Sequence, residues 1–277
     1  MQHLSLGYSP CPNDTFIFYG LVHNKVPCPG VIFREQLEDV ETLNRLALEG
    51  QLDLTKISYH AFGHLRQQYA LLHSGGALGR GCGPLVIAPE ETTMEKLRGK
   101  KIAIPGELTT ANLLLQLYGD GYDDLLILPF EKIMAAVQNG DASAGVIIHE
   151  SRFTYQQSGL KQILDLGKWW EEDSGCPIPL GGILAKRSLG TPLINKIDAA
   201  LRQSVQYAYA HPDEPRHYIK EYAQELEDEV VRNHIALYVN DFSIDLGQEG
   251  IAAITTLFQR AEDRGLIPPC DLPLFAE

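Results

Sequence analysis

Four polar side chains, His149, Glu150, Ser151 and Arg152, stand in a row directly after the apolar run Gly145-Val146-Ile147-Ile148. Consecutive branched apolar residues predict a short buried strand. In an open α/β sheet, ligands sit just beyond the carboxyl ends of the strands. A histidine at such a tip can exchange a proton near neutral pH; its plainer use is a hydrogen bond to neighbouring backbone. Glu150 follows it, although along a strand the adjacent side chain points to the opposite face. Ser58 ends another alternating run, Leu52 to Ser58, where a hydroxyl bonds either a turn or a ligand. Thr109 and Thr110 precede the apolar segment Ala111 to Tyr118. There they can cap a helix, and a capped helix start also presents free N–H groups and a positive dipole end to a carboxylate. Asn13 and Asp14 read first as caps, with Asp14 the candidate for a further polar group in a site. Cys11, between prolines, is reactive only if the adjacent helix start stabilises its thiolate; otherwise it is a small buried residue. Trp169 and Trp170 either wall a cleft or pack a core.

The elements that position these residues repeat a plan. Leu4 to Tyr8 alternates like a strand and leads through the rigid loop Ser9-Pro10-Cys11-Pro12-Asn13-Asp14 into a helix beginning at Thr15, with Asn13 or Asp14 as its cap. A second helix, Val40 to Glu49, stops at Gly50, and the strand ending on Ser58 follows. Further on, the strand Lys101 to Ile104 leads through Pro105 to Thr110 into the helix Ala111 to Tyr118. A helix over Glu131 to Asn139 then stops at Gly140, and the strand ending on His149 follows. Two α/β lobes are predicted, each aiming one capped loop and one strand tip at a common cleft. The short apolar strands Gly83 to Ala88 and Leu180 to Ala185 are the expected crossings between them. Residues 1–90 and 186–277 would form the larger, discontinuous lobe, with 91–185 inserted. The glycine-rich stretch Ser74 to Gly83 lacks the lysine of a phosphate-binding loop. After Lys186 helices are expected over Pro192 to Ala210, Glu221 to Val239 and Gly247 to Gly265, then an irregular tail.

The 277 residues, 44% hydrophobic and 21% charged, are ordinary for a globular chain with ample core. The net charge of −13 argues against nucleic acid or an anionic membrane surface as partner. An anionic ligand must therefore be held locally. No run approaches the roughly 18 to 20 apolar residues of a membrane span, and Met1 to Leu6 has neither the basic region nor the apolar run of a signal peptide. The five cysteines are scattered and form no C-x-x-C pair, the usage of a reducing compartment rather than of a disulfide framework or zinc site. A cytoplasmic location is expected.

Ser9-Pro10-Cys11-Pro12-Asn13-Asp14-Thr15-Phe16-Ile17-Phe18 resembles the 1,4-dihydroxy-6-naphthoate synthases of the futalosine route to menaquinone. So do Glu38 to Asn44, Thr55 to Tyr59, Ser74 to Gly81, Ile147 to Tyr155 and Trp169-Trp170-Glu171-Glu172. These blocks span nearly the whole chain and are too long for chance. The resemblance implies a two-lobed fold of the periplasmic-binding-protein type II kind. It implies a cytoplasmic enzyme that acts on cyclic de-hypoxanthine futalosine, ejecting a sugar-derived fragment and leaving a dihydroxynaphthoate ring, with no cofactor or metal. The family's general-base histidine falls on His149, and its ligand-contacting segments fall on Lys56, Ile57 and Ser58 and on Thr109 and Thr110. The rival expectation is a non-catalytic cytoplasmic binding protein or sensor for a small aromatic carboxylate, because folds of this kind bind more often than they react.

Overall fold

Eleven strands and thirteen α-helices are present in the computed structural model, which describes residues 1–223 and 227–276. The first five strands are β1 (Gln2–Tyr8), β2 (Val31–Leu37), β3 (Leu54–Ser58), β4 (Tyr69–Leu71) and β5 (Ala77–Gly79). The next five are β6 (Leu85–Ala88), β7 (Ile102–Ile104), β8 (Leu125–Ile127), β9 (Ala144–Ile147) and β10 (Lys161–Asp165), and β11 (Ile178–Lys186) comes last. They form two sheets. In the first, β2, β1 and β3 are parallel, and β11 runs antiparallel beside β3 and joins β4 and β5. In the second, β8, β7 and β9 are parallel, and β6 runs antiparallel beside β9 with β10 at the edge. The order β2-β1-β3-β11 thus matches β8-β7-β9-β6. The repeated plan of the sequence is a repeated topology.

Helices cover both faces. Early in the chain are α1 (Pro12–Val22), α2 (Val40–Leu48) and α3 (Tyr59–Leu65), followed by α4 (Met94–Leu97), α5 (Thr110–Tyr118), α6 (Ile133–Asn139), α7 (Ser151–Thr154) and α8 (Leu166–Ser174). The chain ends with α9 (Thr191–Ala210), α10 (Arg216–Tyr222), α11 (Asp228–Tyr238), α12 (Asp241–Ile244) and α13 (Gly247–Asp263). One core joins Leu4, Leu6 and Tyr8 of β1 to Phe16 and Phe18 of α1 and to Leu201 and Val205 of α9. A second lies under α6, where Ile133 and Val137 meet Ala103 and Ile147. The largest runs from one sheet to the other, through Leu113 and Leu114 of α5, Trp170 of α8 and Phe258 of α13. Each large apolar side chain buried there contributes about 1.5–3 kcal/mol. Local chemistry sets the ends of these helices. Asp39 caps α2 by accepting from the N–H of Glu41 at 3.0 Å and of Thr42 at 3.2 Å, and Gly140 closes α6 in the left-handed conformation, φ 79°.

Three expectations need correction. Leu85–Ala88, placed with residues 1–90, pairs with β9 in the second sheet, and Ile178–Lys186, placed largely with 91–185, pairs with β3 in the first. Both strands are apolar on both faces, so hydrophobic pattern carries no mark of which sheet receives them. The crossings proper are the short segments before each of them. In the first of them Gly83 packs so closely on Gly167 of α8 that a Cβ on Gly83 would lie 2.2 Å from the Gly167 Cα. The guanidinium of Arg152 on α7 donates to the Gly83 carbonyl, to the Gly81 carbonyl at 2.9 Å and to Asp165 at 3.2 Å, tying the first crossing to the end of β10. The cap of α1 is Cys11 rather than Asn13 or Asp14, with Pro12 at the first helical position, where a missing N–H costs nothing. Glu221 to Val239, expected as one helix, contains the end of α10 and all of α11, with Ala223 extended after the first; residues 224–226 lie outside the described residues.

Candidate active site

The tips of β1, β3, β7 and β9 converge on one cavity. Asp14, Lys56, Ile57, Ser58, Thr109, Thr110 and His149 all line it, together with Ser9, Cys82, Leu180 and Tyr238. The site residues expected from the sequence are therefore brought together. Trp169 and Trp170 are not among the lining residues. The ring of Trp169 packs edge-on against Tyr118, and that of Trp170 is fully buried beneath Arg260, with its Nε1–H donated to the Pro177 carbonyl at 3.2 Å.

On the first sheet's wall the central feature is an ion pair. Lys56 Nζ lies 2.9 Å from Asp14 Oδ1, with both side chains almost completely buried. Asp14 sits in the first turn of α1, where the helix dipole favours a negative charge. Its remaining acceptor capacity is filled by Asn13 Nδ2 at 2.8 Å and by the Ser9 N–H and Oγ at 3.2 and 2.7 Å. A buried pair persists only with such complete satisfaction. Beside it, Ser58 is held at both ends by Asn44: its N–H donates to Oδ1 at 3.0 Å and its Oγ receives Nδ2 at 3.3 Å.

The opposite wall begins at the start of α5. Thr109 is the cap, its Oγ1 accepting from the Asn112 N–H at 3.3 Å and donating to the Gly106 carbonyl at 2.8 Å. Thr110 Oγ1 accepts from the Tyr59 N–H at 3.0 Å and donates to the Leu180 carbonyl at 2.6 Å, so it bridges to α3 and β11. Both hydroxyls are thus engaged within the protein. What this helix start offers a ligand is its leading backbone N–H groups and dipole end. The preceding loop is tied to α2, because Glu41 accepts from the Leu108 N–H at 3.3 Å while Asn44 donates to the Leu108 carbonyl at 3.3 Å. Burial raises the Glu41 pKa and lowers that of His60, to about 4. His60 meets the Thr109 carbonyl through Nδ1 at 3.3 Å.

His149 differs from all of these. The strand ends at Ile147, and His149 adopts the left-handed conformation, φ 54°, which is uncommon for a residue with a side chain. The strand alternation that would send Glu150 to the opposite face therefore does not apply. The carboxylate of Glu150 turns in beside the imidazole and Cys11, with one ligand-type atom from each lying within 4.8 Å of the others. His149 Nδ1 lies 3.8 Å from Cys11 Sγ, and Phe130 meets the ring edge-on at a centroid distance of 5.0 Å. Nε2 has no hydrogen bond among the described residues. Burial lowers the imidazole pKa, against the opposing pull of Glu150 and Asp14, so the neutral form prevails at pH 7. Burial and the Glu150 charge both push the Cys11 thiol up.

Behind this group stands His234 of α11, fully buried, with Nε2 at 2.8 Å from Asn13 Oδ1 and Nδ1 at 3.9 Å from Glu150 Oε1. Sequence reasoning did not single it out, nor Asn44, nor Glu41. His234 lies among charged residues on a helix that reads as solvated, and only the packing of α11 on α1 reveals its place.

The chain shares its fold with the periplasmic binding proteins, as likeness to solved structures shows. It matches the aliphatic sulphonate-binding protein of Escherichia coli with a TM-score of 0.65 at 14% identity over 97% of this chain and 89% of that one. A Candida albicans protein described as having the generic periplasmic binding protein fold matches with a TM-score of 0.69 at 16% identity over 98% and 92%. A crystal structure from Archaeoglobus fulgidus is far nearer, with a TM-score of 0.90 and 37% identity over 96% of this chain and 98% of that one. A family model described as menaquinone biosynthesis matches residues 4–263. The 1,4-dihydroxy-6-naphthoate synthase of Thermus thermophilus is 54% identical over 99% of this chain and 100% of its own length, and that of Streptomyces coelicolor 45% over 96% and 95%. The chain belongs to the menaquinone biosynthesis family and is an enzyme of the type these relatives represent.

Proposed function

We propose that this chain converts cyclic de-hypoxanthine futalosine to 1,4-dihydroxy-6-naphthoate in the cytoplasm, with His149 as general base and neither cofactor nor metal required. The observation that carries the reading is a histidine just past a strand end, with Nδ1 3.8 Å from Cys11 Sγ and with Nε2 free of hydrogen bonds among the described residues, on the wall of the cavity. In the tautomer that carries its proton on Nδ1, facing Cys11 Sγ at 3.8 Å, the lone pair of Nε2 is the available base. Opening a hemiacetal, or breaking a carbon–carbon bond next to a carbonyl, begins with removal of a proton, and a positioned imidazole contributes about 10²- to 10⁴-fold to such a step. Loss of the sugar-derived fragment leaves an aromatic ring, which supplies the driving force.

The other residues bind and orient. The start of α5, at Thr109 and Thr110, receives the substrate carboxylate through backbone N–H groups and the dipole end. Lys56, Ile57, Ser58 and Asp14 line the facing wall, where the ammonium and hydroxyl meet the polar oxygens of the substrate. The two sheets are the cores of two lobes, and closure between them excludes water and aligns the proton with Nε2. No helix among the described residues is long and apolar enough to cross a membrane, which accords with a cytoplasmic site of action.

The test is direct. Purified chain dialysed against a strong chelator is incubated with cyclic de-hypoxanthine futalosine, and the product is followed by chromatography. The dihydroxynaphthoate should form at an undiminished rate after dialysis. Tight binding of the substrate with no product would contradict the reading.

A further inference from the structure

Cys11, His149 and Glu150 present three different ligand types at one place. A sulfur, an imidazole nitrogen and a carboxylate oxygen lie within 4.8 Å of one another, and Sγ to Nδ1 is 3.8 Å. Glu150 is buried, yet among the described residues its Oε2 has no hydrogen-bond partner; His234 Nδ1, which faces the other oxygen at 3.9 Å, has none there either. Orphaned buried polar atoms are costly in a native protein. A second cavity reaches the same three side chains from the side, past Glu38 and Asp39. Its acidic lining, on a chain of net charge −13, favours a cation and disfavours an anion.

We propose that Cys11, His149 and Glu150 form a binding site for a thiophilic divalent cation such as zinc. Donor atoms around a tetrahedral zinc, with bonds of about 2.0–2.3 Å, stand roughly 3.3–3.7 Å apart, so the cluster needs to contract by about 1 Å. Three protein ligands leave the fourth position to water. The thiolate selects soft cations over magnesium or calcium. As the sulfur–metal bond forms, the Cys11 proton passes to solvent, with no change of oxidation state. The cation replaces the missing partner of the Glu150 carboxylate. It also links the start of α1 to the loop after β9.

Occupancy has a consequence for turnover, and this part rests on the reading of His149 as the base. Metal bound at Nδ1 keeps the imidazole proton on Nε2, which then has no lone pair to accept another. The cation therefore inhibits rather than assists.

The experiment uses the full chain, chelator-treated and reduced, titrated with Co²⁺ and then with Zn²⁺. A thiolate-to-cobalt charge-transfer band should grow to a single equivalent and be displaced by zinc. In Cys11→Ser the band should vanish, and loss of a ligand in Cys11→Ser or Glu150→Gln should weaken affinity at least about tenfold, with unchanged circular dichroism confirming the fold. Absence of the band, or its persistence in Cys11→Ser through Cys28, Cys82, Cys176 or Cys270, would overturn the proposal. Zinc should depress turnover in proportion to occupancy. A band that depends on Cys11 without loss of turnover would uphold the site and count against His149 as the base.

Discussion

On the first sheet's wall of the cleft, Asp14 receives four hydrogen bonds, from Lys56, Asn13 and twice from Ser9. On the second sheet's wall, His149 stands in left-handed backbone with a thiol 3.8 Å from Nδ1, next to a buried carboxylate with one unpartnered oxygen. The two loops occupy different positions in the repeated topology: Asp14 follows β1, beside the edge strand β2, whereas His149 follows β9, the counterpart of β3. A fully satisfied group is fixed in place and suits binding. A strained, incompletely satisfied group costs stability, and such groups cluster where chemistry is done. On the function proposed above, the satisfied wall only orients the substrate, whereas proton transfer at His149 shares the other wall with the carboxylate-binding start of α5.

Breaking the satisfied wall should have the largest effect on stability. Lys56→Met leaves Asp14 as an uncompensated buried charge, and urea denaturation should show a loss of about 3–5 kcal/mol. A loss below about 1 kcal/mol would mean that the carboxylate takes up a proton or water readily, and the contrast between the walls would fail.

Thr110→Val sharpens the comparison at the start of α5. It removes the hydroxyl shared by the Tyr59 N–H and the Leu180 carbonyl, at a cost of about 1–3 kcal/mol. KM for the futalosine-derived substrate should move little if, as proposed, backbone N–H groups make the contact. A large rise in KM with intact stability would instead put the hydroxyl on the substrate.

The histidines give a pH test. Burial lowers the pKa of His60 to about 4, lowers that of His149, and holds His234 well below its ordinary value. The unfolded chain, whose histidines titrate near 6.5, therefore binds more protons than the folded chain below that pH. Stability is fully present above about pH 6.5 and should fall as pH drops toward 4. Denaturation midpoints across this window should decline, and less steeply in His60→Gln. A flat profile would contradict the burial of these rings.

The smallest effect concerns α2, which carries Glu41 and Asn44 to the loop before α5. Asp39→Ala removes its cap and should cost about 1 kcal/mol with kcat unchanged, as thermal unfolding and a turnover assay would show.

Much of this was legible in the sequence, for physical reasons that also explain the rest. Asp14, Ser58, Thr109, Thr110 and His149 lie at strand tips or helix starts, places that local hydrophobic pattern and capping chemistry reveal. Gly140 ended α6 as its type predicts. The sheet membership of β6 and β11 is a matter of long-range pairing between apolar strands that look alike. Strand β2 carries Arg34, Glu35 and Gln36 in succession at the sheet edge, where exposure tolerates a pattern with no clean alternation. His234 became a candidate only when α11 was seen against Asn13. Glu150 was misjudged because strand geometry was extended three residues past the strand's end at Ile147.

The most direct test of the account is a comparison of wild type with His149→Asn on cyclic de-hypoxanthine futalosine, measuring kcat and KM across pH. Asparagine keeps a hydrogen-bonding side chain but cannot take the proton. The account predicts a fall in kcat of about 10²- to 10⁴-fold with KM little changed. It also predicts a wild-type acid limb lying below the ordinary histidine pKa of 6.5, because burial lowers that of His149. A variant that retains near wild-type kcat would remove His149 from the chemistry and leave the satisfied wall as the place to look for the base.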